Sequence, residues 1–401
     1  MTDLRTRLID HQLPVQAPVE MVERKGLGHP DTICDALAEQ LSIRLCRFYL
    51  DQAGVIMHHN VDKALLWGGT AQPAFGGGAV SAPIEIFLAG RAIDRMDDVV
   101  VPVAELVEEV ATDWFAANLR MLDPAEHLRV HSLVRPGSAD LVELYRRQQA
   151  AGEWLANDTS CGVGFAPLSP LEEAVLGVER HLNSSAFKQE VPAAGEDIKV
   201  MGVRLGEAIA LTVACAIIDR YTPDMKAYLE HKARIAAATR DTVAGITDLD
   251  VTVDVNTADD PDNGEVYLTV TGTSAEAGDD GQAGRGNRCN GLITPYRPMT
   301  MESVAGKNPV THVGKLYNIA ANRIADNLVR SLPEVSAAEV YLVSQIGRPV
   351  TDPRVADICV ATADGTLPKT IRGKVAELAG EQIRGLDGLW RELIEMPLDT
   401  V

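Results

Sequence analysis

Three regions of the chain share a loose pattern in which strand-like stretches are paired and accompanied by a helical stretch. β-Branched residues alternate with polar residues in most of the strand-like stretches, as in sheets with one buried face. The stretches are GVIMHHNVDKALLWG and APIEIFLAGRA in the first region, DIKVMGVRL, EAIALTVACAIID, LDVTVDVNT and EVYLTVTG in the second, and AEVYLVSQI and VADICVATA in the third. The pattern predicts an α+β fold whose sheets are each covered on one face by helices.

Helices are predicted over about 97–119, 224–243, 312–332 and 370–393.

The chain has 401 residues, of which 46% are hydrophobic, so two or three units with sizeable cores are expected. The sequence has no apolar run long enough to span a bilayer, and MTDLRTRLIDHQLP at its start lacks the apolar stretch of a signal peptide. These features predict a cytoplasmic protein without a membrane partner.

The net charge is −20, from 37 basic and 57 acidic residues. Such an excess of carboxylates argues against a nucleic-acid partner, although a few converging basic residues or a divalent metal would still allow a polyanion to bind. The six cysteines are scattered without a CxxC pair, so they indicate neither a zinc site nor a disulfide framework.

The stretch VERKGLGHPDTICDALAE leads into a helix with apolar residues at every fourth position from Ile33 to Leu45. Pro30 suits the first helical position, and Asp31 lies in the first turn, where the helix dipole favours negative charge. Because helix N-termini bind anions, His29 and the backbone are candidates to hold phosphate while Asp31 holds a cation. The stretch alone is equally consistent with a well-capped helix whose histidine is satisfied.

Two glycine-rich loops, AGDDGQAGRGNRCNG and AGKNPVTHVGK, carry carboxylates, guanidinium groups, lysines and a histidine, namely Asp279, Asp280, Arg285, Arg288, Lys307, His312 and Lys315. Carboxylates suit Mg²⁺ bound together with substrate phosphates, and arginine and lysine bind phosphate. Each loop alone is more typical of a solvated turn. Together with the GHPD helix entrance, the two loops favour a Mg²⁺-dependent enzyme that acts on a phosphorylated small molecule.

The familiar signatures of other nucleotide-binding and hydrolytic enzymes are absent from the sequence: it has no P-loop, no dinucleotide fingerprint between a strand and a helix, and no kinase, HExxH or GxSxG motif. The residue chemistry by itself therefore does not name the reaction.

Six segments together resemble the archaeal-type S-adenosylmethionine synthetases, and the likeness runs from about Glu20 to past Gln345. They are VERKGLGHPD, ANDTSCGVGFAPLS, GEDIKVMGVRL, VNTADDP, VYLTVTGTSAEAGDDGQAGRGNRCNGLITPYRP and AGKNPVTHVGKLYN. The resemblance implies synthesis of S-adenosylmethionine from ATP and methionine, with the released tripolyphosphate split into pyrophosphate and phosphate. It also implies Mg²⁺, often K⁺, and a homodimer with active sites at the interface, while pairing of dimers into a tetramer stays open.

The resemblance also assigns roles to individual residues. His29 would lie on the triphosphate beside the breaking bond, Asp31 would hold one Mg²⁺, and Asp158 would hold the methionine amino group. The other matched positions are Glu23 near the nucleotide, Lys199, Arg285 and Lys307 on the phosphates, Asp279 near both substrates, and Tyr267, Gln345 and Ile346 at the adenine.

The resemblance implies three similar α+β units about a pseudo-threefold axis. Approximate boundaries are 28–130 plus 275–315 for the first unit, 1–27 plus 165–274 for the second, and 131–164 plus 316–401 for the third.

The chain departs from the family pattern at RPGS, at Val61 and Lys63, and in the loop at 68–78. His59 and Thr70 stand where the bacterial branch has glutamates, so K⁺ dependence is an open question. Two alternatives to a methionine adenosyltransferase stay open. The chain could be an enzyme of the same fold that acts on a methionine analogue, or an inactive partner subunit that binds nucleotide. The intact site residues argue against the inactive subunit.

Overall fold

The computed structural model of the chain describes residues 3–137 and 140–395. Ten α-helices occur in this part of the chain: α1 Pro30–Ala53, α2 Val103–Asn118, α3 Pro124–His127, α4 Asp140–Ala151, α5 Pro170–Leu182, α6 Ser185–Glu190, α7 Met225–Ala244, α8 Val313–Ser331, α9 Lys369–Arg384 and α10 Trp390–Glu395. No helix in the described residues is long and apolar enough to cross a membrane.

The strands in the same residues are β1 Asp3–Leu8, β2 Val19–Lys25, β3 His59–Trp67, β4 Thr70–Gln72, β5 Ala79–Ala82, β6 Ile84–Ala92, β7 Arg95–Met96, β8 Val99–Val100, β9 Leu128–Pro136, β10 Cys161–Ala166, β11 Ala194–Leu205, β12 Ala208–Ile218, β13 Asp250–Val255, β14 Leu268–Thr269, β15 Gly281–Gln282, β16 Val335–Val343 and β17 Val355–Thr362. Three sheets hold most of them. The first sheet has the order β15-β3-β6-β9, the second β13-β12-β11-β2 with β14 beside β12, and the third β1-β17-β16-β10.

The three sheets share one pairing pattern, in which two antiparallel pairs are followed by a parallel pair. In the first sheet β15 and β3 are antiparallel, β3 and β6 are antiparallel, and β6 and β9 are parallel. The same succession holds from β2 through β11 and β12 to β13, and from β10 through β16 and β17 to β1.

Each sheet is packed on one face by two long helices: α1 and α2 on the first, α5 and α7 on the second, α8 and α9 on the third. One large core cluster joins the first and third sheets, because α1 and α8 contribute to the same buried interior. A smaller core lies under the second sheet. The expectation of mixed sheets covered by helices is therefore confirmed.

Two segments complete sheets other than those that the unit boundaries assign to them. β1 pairs in parallel with β17 of the third sheet, whereas the boundaries place residues 1–27 in the second unit. Residues 131–136 belong to β9 of the first sheet rather than to the third unit. In both cases the segment supplies the parallel edge strand that its sheet needs.

Several elements differ from the sequence-based expectation. The helix expected from residue 97 begins at Val103, because residues 95–100 form the short hairpin of β7 and β8. EVYLTVTG forms a strand only at Leu268–Thr269, and α4, α5 and α6 were not expected. Ser138 of the divergent RPGS segment lies outside the described residues.

Two glycines on β10 let α8 lie directly against the third sheet. A Cβ added at Gly164 would lie 2.1 Å from the backbone nitrogen of Asn322, and one at Gly162 would lie 2.2 Å from the carbonyl carbon of Tyr317. The helix backbone therefore touches the strand backbone at these positions. The glycines of SCGVGF are needed for packing, next to the loop that carries Asp158.

We expect Gly164→Ala to lower the free energy of unfolding by about 1–3 kcal/mol or more, since overpacking here meets backbone that cannot move aside. Gly373→Ala is the matched control, because Gly373 lies within α9 and a Cβ there has no neighbour within 4 Å. The control should be neutral or stabilising by about 0.5–1 kcal/mol. Urea unfolding followed by circular dichroism measures both, and equal stabilities for the two variants would contradict the close-packing interpretation.

Candidate active site

The entrance to α1 brings His29, Asp31 and Lys25 into contact. His29 is the N-cap residue, and its Nδ1 accepts a hydrogen bond from the Asp31 backbone N–H at 3.1 Å. The carboxylate of Asp31, which is 5% exposed, accepts from Lys25 Nζ at 2.8 Å and from the Gln282 N–H at 2.9 Å. The capped-helix interpretation therefore holds for His29, but Asp31 also carries a bound cation, the ammonium of Lys25.

Charge and burial set the protonation states at this entrance. Burial lowers the pKa of His29 to about 4, and the charges of Lys25 and Lys199 act in the same direction, against the charge of Asp31. Burial alone would raise the pKa of Asp31, but the hydrogen bonds from Lys25 and from the Gln282 amide outweigh it and hold the pKa below its usual value. At neutral pH the entrance thus presents a neutral imidazole, an ionised carboxylate and two lysines.

Lys199 and Glu23 complete what we call the helix-entrance group: Glu23, Lys25, His29, Asp31 and Lys199. Lys199 on β11 is the cross-strand partner of Lys25 on β2, so both side chains leave the same face of the second sheet. Lys199 Nζ lies 3.1 Å from Glu23 Oε1. Lys25 was not among the residues found from the sequence, although its alternation with Glu23 along β2 is a signal for this shared face.

Gly26 and Gly28 allow the loop before α1 to run against β11. The N–H of Gly26 donates to the Ile198 carbonyl at 2.7 Å, and the N–H of Gly28 donates to the Glu196 carbonyl at 2.9 Å. A Cβ at Gly28 would lie 2.4 Å from the Asp197 nitrogen, so only glycine fits this approach. The tight loop places His29 beside the second sheet as well as at the start of α1.

A second set of polar residues adjoins this loop, and we call it the Asp197 group: Asp197, Tyr267, Ser274 and Asp279. Ser274 Oγ lies 2.5 Å from Asp197 Oδ2 and 3.1 Å from Asp279 Oδ2. The side chain of Tyr267 is hydrogen-bonded to Asp197 and Ser274. Burial raises the pKa of Asp197 to about 6. Asp279 itself is exposed, so it is the member of this group that a ligand would reach first.

Arg285 lies next to the helix entrance, because its carbonyl accepts from Lys25 Nζ at 2.9 Å while the residue is exposed. Two neighbouring charged residues of the same loop serve the backbone instead. Asp280 accepts from the Gly68 N–H at 2.9 Å, and Arg288 donates to the carbonyls of Gly284 and Gly286 at 2.7 Å each.

Lys307 belongs to a third set, the Lys307 group: Asp62, Glu302, Lys307 and His312. Its ammonium is hydrogen-bonded to Glu302 and lies 3.9 Å from Asp62 Oδ2. Lys315 from the same loop is buried, and its ammonium donates to both carboxylate oxygens of Glu39 at 2.7 Å. Its role is therefore structural rather than ligand-binding.

The fourth set, the Asp158 group, joins Asp158 and Thr159 to Ser344, Gln345 and Ile346. Ser344 Oγ donates to the Asp158 carbonyl at 2.9 Å, and the Ile346 N–H donates to Thr159 Oγ1 at 3.0 Å. Asp158, Gln345 and Ile346 are exposed. Within residues 3–137 and 140–395, no hydrogen bond or ion pair links this group directly to the helix-entrance group.

The described residues contain no cluster of three or more acidic, histidine or cysteine side chains arranged around a metal. Asp31 does fit another kind of Mg²⁺ site. This ion usually keeps several waters and binds through only one or two carboxylates together with substrate phosphates. In this structure the Asp31 carboxylate is paired with the Lys25 ammonium at 2.8 Å.

The fold and site together define an α+β enzyme with cationic and acidic groups suited to a polyphosphate ligand. A sequence model of the S-adenosylmethionine synthetase (AdoMet synthetase) family matches residues 4–396. The chain is 52% identical over 376 residues to a probable S-adenosylmethionine synthase of Aquifex aeolicus (strain VF5), covering 94% of each chain. It is 48% identical over 377 residues to the S-adenosylmethionine synthase of Pyrococcus furiosus, again covering 94% of each chain.

Among solved structures, the chain is similar to an unusual S-adenosylmethionine synthetase from Campylobacter jejuni, with a TM-score of 0.60 and 13% identity over 93% of this chain and 98% of that one. That likeness is one of fold. The family match and the two close relatives are decisive, and the chain belongs to the S-adenosylmethionine synthetase family. The resemblance read from the six sequence segments is confirmed.

Proposed function

We propose that the chain makes S-adenosylmethionine from ATP and methionine and then hydrolyses the released tripolyphosphate to pyrophosphate and phosphate. Family membership over residues 4–396 carries this conclusion. The methionine sulfur attacks the 5′ carbon of ATP, the bond from that carbon to the triphosphate oxygen breaks, and its electron pair leaves with the triphosphate. Negative charge therefore grows on the leaving group, where preorganised donors are most effective.

The helix-entrance group supplies donors of this kind. His29 uses Nδ1 as an acceptor in the helix cap, so its proton is on Nε2, which can donate to a phosphate oxygen. Lys199, Arg285 and Lys307 would bind the chain of phosphates, and Glu23 would lie near the nucleotide. Asp158 would hold the methionine amino group, Asp279 would lie near both substrates, and Tyr267, Gln345 and Ile346 would contact adenine.

Asp31 would hold Mg²⁺ together with oxygens of the triphosphate. When bound, the ion neutralises part of the charge on the leaving group. Lys25 stabilises the ionised Asp31 before substrate arrives. K⁺ dependence stays an open question. His59 is fully buried with Ser42 and the Met57 carbonyl as partners, and it offers no oxygen to a cation.

The open face of the first sheet supports a homodimer. Leu65, Trp67 and Leu133 are 47%, 57% and 53% exposed there, and Phe87 lies between Leu65 and His131 in neighbouring strands. Several large apolar side chains exposed on one sheet face are typical of an interaction surface. A second copy would cover this surface, and it would bring the Asp158 group of one subunit to the helix-entrance group of the other. Pairing of such dimers into a tetramer would need a further surface.

The shared pairing pattern of the three sheets supports units related by a pseudo-threefold axis. For the unit boundaries we keep the expected ranges, except that strand pairing places residues 3–8 and 165–166 in the third unit and residues 131–136 in the first. We also expect the enzyme to be cytoplasmic and to have neither nucleic-acid nor membrane partners.

The product assay tests the proposed reaction directly. Purified protein with ATP, Mg²⁺ and methionine should release S-adenosylmethionine, pyrophosphate and phosphate in equal amounts, as measured by mass spectrometry and phosphate analysis. Accumulation of ADP or AMP would contradict the reaction. If product forms only with a methionine analogue, that analogue is the substrate. If no product forms with methionine or with the analogue, the result supports the inactive-subunit alternative.

Asp31→Asn should sharply reduce turnover and raise the Mg²⁺ concentration for half-maximal activity about tenfold or more. A charge contact at about 4 Å is worth about 4 kcal/mol at an effective dielectric of 20, far above a helix-dipole contribution of about 0.3–1 kcal/mol. Asp224→Asn is the matched control, because Asp224 caps α7 through the Ala227 N–H at 2.8 Å. Mg²⁺ titrations of activity and melting curves of the ligand-free proteins separate the two roles. Identical Mg²⁺ curves for both variants would reduce Asp31 to a helix-terminus residue.

Trp67→Glu combined with Leu133→Glu should convert the dimer to a monomer without turnover, because two carboxylates would be buried at the apolar interface. Val100→Glu is the control, since Val100 is 57% exposed but lies on the β7–β8 hairpin. Light scattering gives the mass and the product assay gives turnover. A monomeric, fully active wild type would refute the shared site, and so would an interface of much less than the roughly 2,000 Å² typical of obligate pairs.

A further inference from the structure

The N-terminus of α8 carries a buried histidine whose ring Nδ1 has no hydrogen-bond partner among the described residues. His312 is the N-cap residue of this 19-residue helix, yet its side chain makes no capping hydrogen bond. The residue is 5% exposed and its Nδ1 is buried without a partner. Because the first turn of a helix presents backbone N–H groups and a positive dipole end, the site has the features of an anion pocket with one unused polar atom.

A carboxylate of the chain itself lies in this pocket. A Cβ added at Gly314, in the first turn of α8, would lie 2.5 Å from Glu302 Oε2 and 3.2 Å from His312 Cε1. The same Glu302 carboxylate is hydrogen-bonded to the ammonium of Lys307. Glu302 thus lies against the helix N-terminus, with Lys307 on one side and the imidazole of His312 close by.

The pocket does not need Glu302 to keep its shape. Lys307 is fixed through its backbone by a buried ion pair: the Gly306 N–H donates to Glu39 Oε2 at 3.0 Å, and Lys315 Nζ donates to the Lys307 carbonyl at 3.0 Å. Glu302, by contrast, has a side chain 32% exposed and follows Met301, which is 95% exposed. Its carboxylate can therefore leave while the lysine stays in place.

Glu302 also has open surface beside it. Glu302 lines a surface groove of about 610 Å³ together with Thr159 and Ser160. The exposed side of Glu302 therefore borders the groove into which its carboxylate could move, next to the loop that carries Asp158.

We propose that Lys307, His312 and the N-terminus of α8 form a phosphate subsite, and that Glu302 is an internal occupant which the polyphosphate displaces. This inference rests on the proposed function, and it adds His312 as a contact and Glu302 as a competitor. Small anions that cannot reach several donors at once would compete poorly with the tethered carboxylate, whereas a polyphosphate would bind several donors together.

Isothermal titration of the full-length protein with sodium tripolyphosphate, in EDTA, tests the subsite. Glu302→Gln keeps the shape but removes the competing charge, so we expect binding about tenfold tighter than in the wild type, a change of about 1.4 kcal/mol. The matched control is Glu334→Gln, because Glu334 is also an exposed acid near a lysine, 3.8 Å from Lys374 Nζ. The control should bind as the wild type does.

His312→Ala, introduced into the Glu302→Gln variant, should weaken tripolyphosphate binding. A melting curve of the double variant establishes that it is folded. Unchanged or weaker binding in Glu302→Gln, or no binding by any variant, would overturn the subsite. If S-adenosylmethionine still forms in the product assay, the proposed function survives that result. If no S-adenosylmethionine forms, the function fails whatever the titrations give.

Discussion

The buried ion pair between Glu39 of α1 and Lys315 of α8 connects the two helices on which the candidate site depends. Lys315 is 1% exposed, and its ammonium bonds both oxygens of Glu39 and the Lys307 carbonyl. Removing one partner of such a pair costs about 3–5 kcal/mol, because the other charge stays buried alone. The pair joins the third turn of α1, whose N-cap residue is His29, to the first turn of α8, whose N-cap residue is His312.

The glycine-rich loops around the site are held by carboxylates that accept from backbone N–H groups. Asp219 Oδ2 accepts from Gly78 at 2.7 Å and from Ala74 at 3.2 Å, and Asp35 Oδ1 accepts from Gly284 at 2.8 Å. Backbone N–H groups removed from water must find partners, and a loop rich in glycine provides no side chains of its own for this. Part of the acidic excess of the chain therefore fixes loops in place. This explains how long loops without regular structure can position ligand-binding residues.

The sequence alone predicted the elements with strong periodicity and the residues inside recognisable segments. The helix expected over 224–243 is Met225–Ala244, and β11 and β12 lie where alternation placed them. α5 was not predicted, although Ser169 and Glu172 form a capping box at its start and its buried Leu171, Val175, Val178 and Leu182 recur at helical spacing.

Contacts that depend on tertiary packing could not be predicted in this way. Lys307 and Lys315 look alike in the sequence, yet Lys307 pairs with a partly exposed glutamate and Lys315 with a buried one. Glu302 stands in a polar loop without periodicity, and its position at α8 follows only from the packing of the loop against the helix. Whether residues far apart in sequence share one subunit's site is likewise decided by the arrangement of the sheets.

The cap that His29 makes for α1 has a consequence for acid–base behaviour. Since Nδ1 is committed to the Asp31 N–H, the ring cannot take up a proton there without breaking the helix cap. A histidine held in this way is no pH sensor, because its charge does not change across the physiological range, where its pKa of about 4 keeps it neutral. In the ligand-free chain, this imidazole therefore presents a fixed dipole at the entrance to α1, whatever the pH within that range.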